Sequence, residues 1–497
     1  MPSWNALSGV SGHPGSFART LDRVAAAAPS TAAISAAGVA IALGGVAALD
    51  VRIAMALTAA ALVGAVLMLK PSVILPVLVV GVFLEVITLG GLGLVPLIAP
   101  IAVLFLLAAA SRPGMELRPA APLFWALAYA VWALASGLWT VSLGGTTELL
   151  ASLAISLVYM LCFAALLDTE RQLGRVLYAF TLAAFVIGAF AIGAFALGAT
   201  DDLAEGRSTG GTGDPNFFAA YQVVALPLAI VLAGRVQRRW EKILVYGAIL
   251  AMIGSILTSV SRGGVLTLTA LTLLLLVLPA RSFFRSSRHK AVFATAAVIA
   301  AVVSLVASGG SMLQRLESVF RDDTGSTAES RGSGRLELWA AAWHSVHERP
   351  FLGLGFGAFG DVSNELIVQT PGVNFQHFEL RPHGLRAHSA YIGSLAELGV
   401  IGLSLFCGLL LSTALALRRT ARRARTAGSY FVMRVANALL LSLFAWSIAS
   451  LFLSAETSRP LWIVVGLALA LPKLIAPKRY EAQSGQARTA SEMRSRS

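Results

Sequence analysis

Apolar runs long enough to cross a bilayer recur along nearly the whole chain, and that recurrence leaves few folds open. A spanning helix needs roughly 17–25 mostly apolar residues. Such runs fall at about 31–49, 53–69, 72–89, 93–110, 121–140, 149–167, 174–198, 216–234, 242–259, 263–280, 291–308, 389–416, 433–454 and 460–476. Lipid offers no partner to backbone N–H or C=O groups, so segments of this length must cross as helices. The expected fold is all-α, a polytopic integral membrane protein with 12–14 transmembrane helices. The hairpins near Asp50, Lys70 and Gly90–Gly91 are where the count is loosest.

Composition agrees. Charged residues make up 13% of the 497, and 57% are hydrophobic before the 46 glycines are counted, against about 25% charged and 45–50% apolar with glycine included in soluble domains. That excludes an ordinary soluble enzyme, a disordered protein and a disulfide scaffold; Cys162 and Cys407 both lie inside apolar runs. The net charge of +13 would suit nucleic acid, but the cations sit where topology asks for them. With the N-terminus cytoplasmic, Arg235/Arg238/Arg239/Lys242, Arg281/Arg285/Arg288/Lys290 and Arg418/Arg419/Arg422/Arg423/Arg425 all fall inside, as the positive-inside rule requires. Short outer loops keep only Arg52, Arg207, Arg262 and Arg459. The basicity is therefore topological, and no nucleic acid partner is expected.

The chain divides into a cytoplasmic N-terminal segment (1–30), transmembrane helices 1–11 (31–308), a large outer loop (309–387), transmembrane helices 12–14 (388–476) and a polar cytoplasmic tail (477–497). Arg19 and Arg23 precede the first run, but that run exceeds the usual signal-peptide core of about 7–15 residues, so an uncleaved span is expected. In the large loop, Leu336, Trp339, Trp343 and Val346 recur at spacings of three, four and three, which predicts an amphipathic helix with an aromatic face suited to a membrane surface. Beyond it, Gly355-Phe-Gly-Ala-Phe-Gly360 spells a dinucleotide fingerprint. The fingerprint has meaning only between a strand and a helix. Neither neighbour is expected, so the glycines read as a tight turn grazing the membrane.

Ionisable residues at the outer ends of helices carry the chemistry such a chain can do. Arg207 is the cation of the loop before Asp214-Pro215, an N-cap followed by proline at the first helical position, where the helix end also favours anions. Arg262, in Ser261-Arg-Gly-Gly264, stands at an outer helix mouth, as an anion clamp or as a snorkelling side chain. His388-Ser389 opens the twelfth helix. On a continuous helix Gly399 would lie about 20° from His388 and Gly402 about 40° away on the other side, so both glycines would allow close packing beneath the imidazole. Glu397 falls near the opposite face and reads as an intramembrane hydrogen-bonding residue; Glu85 is a second costly acid, with no assigned partner. Arg335 begins the amphipathic helix, contacting substrate or pinning the loop. His344 with His347, and Asp322 with Asp323, lack the further ligands a metal needs, so no metal site is expected.

Together these elements resemble the O-antigen ligase family of bacterial inner-membrane proteins, which also covers O-antigen and exopolysaccharide polymerases. His388-Ser389, nine residues, then Gly399-Val-Ile-Gly402 is similar to the family's histidine, small polar residue and paired glycines. Arg262-Gly-Gly-Val-Leu266 resembles its arginine–leucine element, and Gly334-Arg335-Leu-Glu-Leu-Trp339 with Pro350 and Gly353-Leu-Gly355 resembles its large loop. The likeness extends over about 200–455. It implies a membrane glycosyltransferase of the bacterial inner membrane with its active site facing the periplasm. An undecaprenyl-diphosphate-linked glycan is the donor, and a hydroxyl of lipid A-core or another glycan is the acceptor. Arg207 and Arg262 would bind the diphosphate, His388 would act as general base, Arg335 would be a possible substrate contact, and no metal or other cofactor would be needed. A ligase and a polymerase of this family share donor chemistry and differ in acceptor. A lipid-linked-oligosaccharide flippase or other transporter would need polar residues along a mid-membrane path, whereas the informative residues here gather at one surface.

Overall fold

The structure, a computed structural model, describes residues 73–84, 88–89, 92–110, 120–198, 208–210, 213–278, 335–371 and 384–475, with a few positions between 283 and 295. All but Leu89 and Leu92 of these belong to one compact unit, Val66–Thr88 with Gly93–Ser497. Apart from two two-residue strands, Thr88–Leu89 and Leu92–Gly93, the regular structure of the described residues is helical. In chain order the helices are α1 (Ile74–Phe83), α2 (Leu94–Ala110), α3 (Ala121–Ala135), α4 (Leu143–Leu166), α5 (Glu170–Ala196), α6 (Pro215–Ala233), α7 (Arg239–Thr258) and α8 (Arg262–Val277). Two loop helices follow, α9 (Arg335–Glu348) and α10 (Ala358–Gln369), and then α11 (Ala390–Thr426), α12 (Tyr430–Ala449) and α13 (Arg459–Ala470). Of the fourteen expected spans, 31–49, 53–69 and most of 291–308 lie outside the described residues, and each of the others falls on a helix. Among the described residues, seven helices are long and apolar enough to cross a membrane by themselves. The all-α polytopic fold is thus present.

Local sequence sets the helix boundaries. Thr169 and Gln172 form a capping box on α5, and Asp214 caps α6 through the amides of Asn216 and Phe217, with Pro215 at the first position. Ser142, Ser261 and Ser389 cap α4, α8 and α11 through their hydroxyls. α6 is the central helix, buried on all sides among α5, α7, α8 and α12. Its polar atoms are matched inside the bundle: Gln222 Nε2 donates to Ala184 O of α5 at 3.1 Å, and Val224 O accepts from Ser442 of α12 at 2.7 Å. Such bonds replace water where lipid supplies none.

Three features depart from a simple row of spans. First, α11 has 37 residues, about 55 Å at 1.5 Å per residue, and it is broken. Gly399 has φ 67° and ψ −171°, a conformation open essentially to glycine alone. The expected stripe joining His388 to Gly399 and Gly402 on one continuous helix therefore ends at Leu398. The break leaves backbone groups unpaired, and Pro350–Gly355 threads into the opening to pair with them. Val400 N donates to Pro350 O (2.8 Å), Leu354 N to Ala396 O (2.9 Å) and Gly355 N to Glu397 O (2.8 Å); Trp132 Nε1 donates to Leu398 O (3.0 Å). A β-carbon on Gly399 would strike the backbone of Phe351 and Leu352. Gly402 faces the Leu398 side chain across the same break, so both glycines serve the break rather than a crossing with a separate helix.

Second, the glycine-rich turn is not a membrane-grazing surface. Phe356 is 0% exposed, its amide donates to Ser136 Oγ, and Gly355 lies against Thr140 too closely for any β-carbon. A helix does follow the turn, α10, contrary to expectation, but the residues before it belong to the threaded segment and not to a strand. Third, the loop Ser450–Ser458 is irregular yet mostly buried: its Thr457 O accepts from Ser156 Oγ, in the second half of α4, at 2.7 Å. Non-helical backbone at such depth is tolerated only when protein surrounds it. It shortens α13 to 12 residues.

Candidate functional site

One end of the bundle collects the loops and helix starts that carry the candidate residues. Ser261 Oγ, at the start of α8, donates to Asn216 Oδ1 at the start of α6 (2.8 Å). Arg262 is the first residue of α8 and is partly exposed. Arg335 is the first residue of α9 and lies in the fields of Asp214 and Arg262. Burial pushes the Arg335 guanidinium below the usual arginine range; Asp214 opposes that shift and the like charge of Arg262 adds to it. The structure thus brings two of the sequence-predicted arginines together, with the α6 cap beside them. Arg207 lies outside the described residues, as do Glu85, Asp322 and Asp323.

His388 is tied to the same assembly through backbone contacts on both sides of it. Trp339 Nε1, one turn along α9 from Arg335, donates to Ala387 O at 2.9 Å. Ala390 N donates to Ser450 O at the end of α12 (2.9 Å). Two residues beyond, the Phe452 ring packs on Gly263, next to Arg262, at 3.3 Å from where a β-carbon would stand. So His388 and Arg262 flank one short loop, and His388 and Arg335 flank one hydrogen bond. Among the described residues, Val260 (φ 47°) and His388 (φ 48°) are the non-glycine residues with positive φ. Each immediately precedes the serine that caps a helix. Backbone of this kind costs about 1–3 kcal/mol and persists where surrounding structure imposes it, often at functional sites.

The amphipathic loop helix is present, but its aromatic face is divided. Trp339 and Val346 pack on the core formed by Leu338, Ala341, Ala342, Leu354, Phe359 and neighbours. Leu336 and Trp343 point away, each 59% exposed. Both histidines have local contacts: His344 Nε2 stands 3.8 Å from Glu348, and His347 Nδ1 stands 2.9 Å from Trp343 O. Among the described residues no three His, Cys, Asp or Glu side chains gather as a metal would require.

Sequence reasoning missed a second polar cluster beside His388. Arg386 Nη2 is paired with Glu456 Oε1, from the irregular loop. Desolvation acts to lower the Arg386 pKa, but Glu456, Glu397 and Glu148 outweigh it and hold the guanidinium above its usual range. Glu397 also does structural work: Gly357 N, at the start of α10, donates to its Oε2 at 2.8 Å. A signal for Glu456 was present, since it is an acid between two closely spaced apolar runs, but nothing in the spacing linked it to Arg386.

A polytopic helical membrane protein with a partly desolvated arginine pair and a strained histidine at one end is the class these features define. A family model described as O-Antigen ligase matches residues 247–407. The match covers α8, both loop helices, His388 and the break in α11, and it supports assignment of the chain to the O-antigen ligase family. That family implies activity of the O-antigen ligase or polymerase type, with lipid-linked glycan and acceptor partners in general. No curated protein matches the chain.

Proposed function

We propose that the chain is an O-antigen-ligase-like glycosyltransferase that moves a glycan from undecaprenyl diphosphate to a sugar hydroxyl, such as one on lipid A-core, on the periplasmic face of the bacterial inner membrane. The observation that carries the reading is the meeting of Arg262, Arg335 and the His388 segment at one end of the bundle. The opposite end carries Arg238, Arg239 and Lys242 at the start of α7, with Arg418, Arg419, Arg422, Arg423 and Arg425 in the last turns of α11. By the positive-inside rule that end is cytoplasmic, which leaves the site on the periplasmic side.

In this reading the acceptor hydroxyl gives its proton to His388 as its oxygen attacks the anomeric carbon. The bond from that carbon to the diphosphate oxygen breaks, and the departing charge passes to undecaprenyl diphosphate. Arg262 and Arg207 bind that diphosphate, and Arg335, beside Arg262, is placed to share the load. Guanidinium groups suit the task because they stay charged and grip phosphate in two-point contacts.

Deleting the gene tests the activity. Loss of a ligase leaves long glycans on the carrier lipid, whereas loss of a polymerase leaves single repeat units that still reach the surface. A deletion that changes neither glycan pool refutes both. Replacing His388 with alanine tests the site, and full glycan transfer by that variant would refute the role given to His388.

A further inference from the structure

Five residues, Arg386–Ala390, present His388, and four separate elements hold them. Arg386 is paired with Glu456 of the α12–α13 loop, Ala387 O accepts from Trp339 of α9, Ser389 caps α11, and Ala390 N donates to Ser450 at the end of α12. Among these tethers only the first joins two charged side chains. Arg386 keeps 40% of its side chain exposed, while Glu456 keeps 2%. The other Glu456 oxygen, Oε2, is buried without a hydrogen-bond partner, and the Tyr129 hydroxyl, beside Ser394, lies within the field of Glu456. A buried carboxylate with an unused oxygen is a poor device for stability, since an apolar replacement usually serves as well or better. Its position is the informative part: it grips the chain two residues before a histidine whose φ is +48°.

We propose that the Arg386–Glu456 pair positions His388 for catalysis, fixing the strained backbone from which the imidazole projects. Arg386 and Glu456 are positioning residues and touch neither donor nor acceptor. Glu397 and Glu148 stand near enough to act on Arg386, so one guanidinium draws together carboxylates from α4, α11 and the α12–α13 loop. Removing Arg386 would leave all three without it, whereas Glu456→Gln removes one charge and leaves the guanidinium its other two neighbours. The inference rests on the role given to His388 above.

The test uses the full-length chain in nanodiscs, with lipid-linked glycan and acceptor glycolipid extracted from the deletion strain. Release of undecaprenyl diphosphate is followed for wild type, R386Q, R386K, E456Q and H388A. Misplacing a catalytic group by about 1 Å costs on the order of 10²-fold in turnover, so R386Q should lose about that much kcat and E456Q less. Donor KM should stay within about twofold, because the diphosphate-binding arginines are untouched. R386K, which keeps the charge, should recover part of the loss. A purely structural role would instead leave the kcat of the folded fraction at the wild-type value in R386Q and R386K alike, with total transfer scaling only with the amount of folded protein. Wild-type kcat in both R386Q and E456Q, with H388A inactive, overturns the positioning role and leaves the catalytic one standing. An active H388A overturns the catalytic role itself. If R386Q does not fold, E456Q and R386K decide by the same split between kcat and KM.

Discussion

Replacing Gly399 with alanine should damage the protein far more than its size suggests. The alanine must either hold φ near 67° with ψ near −171°, at about 1–3 kcal/mol, or relax toward helix. Relaxation closes the break and expels Pro350–Gly355, since the β-carbon points at the backbone of Phe351 and Leu352. The hydrogen bonds at stake are those of Val400 N, Leu354 N and Gly355 N, each worth about 0.5–1.5 kcal/mol net. Holding the angles costs about 1–3 kcal/mol before the contact with Phe351 and Leu352 is relieved, and relaxation, at three lost bonds, about 1.5–4.5 kcal/mol. The entropy of unfolding grows with length, so in a chain this long each kcal/mol shifts Tm by about 1–2 °C; a fall of about 5 °C is expected. Gly247→Ala, in α7 with nothing within 4 Å of the new carbon, is the control, and it should be neutral or gain about 0.5–1 kcal/mol. Thermal melts of purified protein in detergent, paired with glycan transfer, read both effects. A G399A variant that melts within about 1 °C of wild type and transfers glycan normally would refute the threaded break.

Arg335→Met should abolish or strongly reduce transfer while raising the Tm of the unliganded chain by about 1–2 °C, the response to about 1 kcal/mol. The sign follows from the downward shift: the folded state binds that proton less tightly than the unfolded one, so the charge opposes folding at every pH below the lowered pKa. Inorganic pyrophosphate should accordingly stabilise wild type and not the variant, as read by thermal melts with and without the anion. The shift of Arg386 is upward, so its charge favours folding at all assay pH values and the contribution fades only as pH rises through a pKa above the ordinary arginine value; R386Q should therefore lose stability evenly across neutral pH, measured as Tm from pH 6 to 9. Trp339→Phe keeps an aromatic side chain, though a smaller one, and deletes the bond to Ala387 O; it should cost about 1 kcal/mol for the bond in melts, with some packing lost besides, and lower kcat more than donor KM.

The spans, their caps and the sidedness of charge were legible because each is a local rule. Asp214-Pro215 and Ser389 announce helix starts within two or three residues, and a run of twenty apolar side chains needs no partner to be recognised. The broken helix was not legible. Gly399 satisfies helical periodicity as well as it satisfies a break, and the distinction is made by Pro350–Gly355, some forty-five residues earlier in the chain. Arg335 was legible as a helix start that contacts substrate or pins the loop, but its approach to Arg262 depends on how α9 docks. Arg386 and Glu456 were missed for the same reason, since seventy residues separate them and neither sits in a motif.

The geometry also decides which groups can hold a diphosphate. The α6 start seemed an anion site in sequence, because a helix N-terminus carries roughly half a positive charge and free amides. In the structure Asp214 places a full negative charge there and takes the amides of Asn216 and Phe217 at 2.6 and 3.2 Å. The α8 and α11 starts have given amides to Ser261 and Ser389. A second anion at α6 would meet repulsion larger than the helix attraction. In the proposed reaction the guanidinium groups therefore carry the diphosphate, and Arg335 does so in the opposing fields of Asp214 and Arg262. A mid-membrane transport path would instead use ionisable groups drawn into the bundle, of which Arg386, Glu456 and Glu397 are the candidates. Arg386 and Glu456 hold each other, and Glu397 holds the start of α10. Releasing either contact would unlock the loop that presents His388 or the turn that joins the threaded segment to α10, so these charges suit a fixed site better than an alternating one.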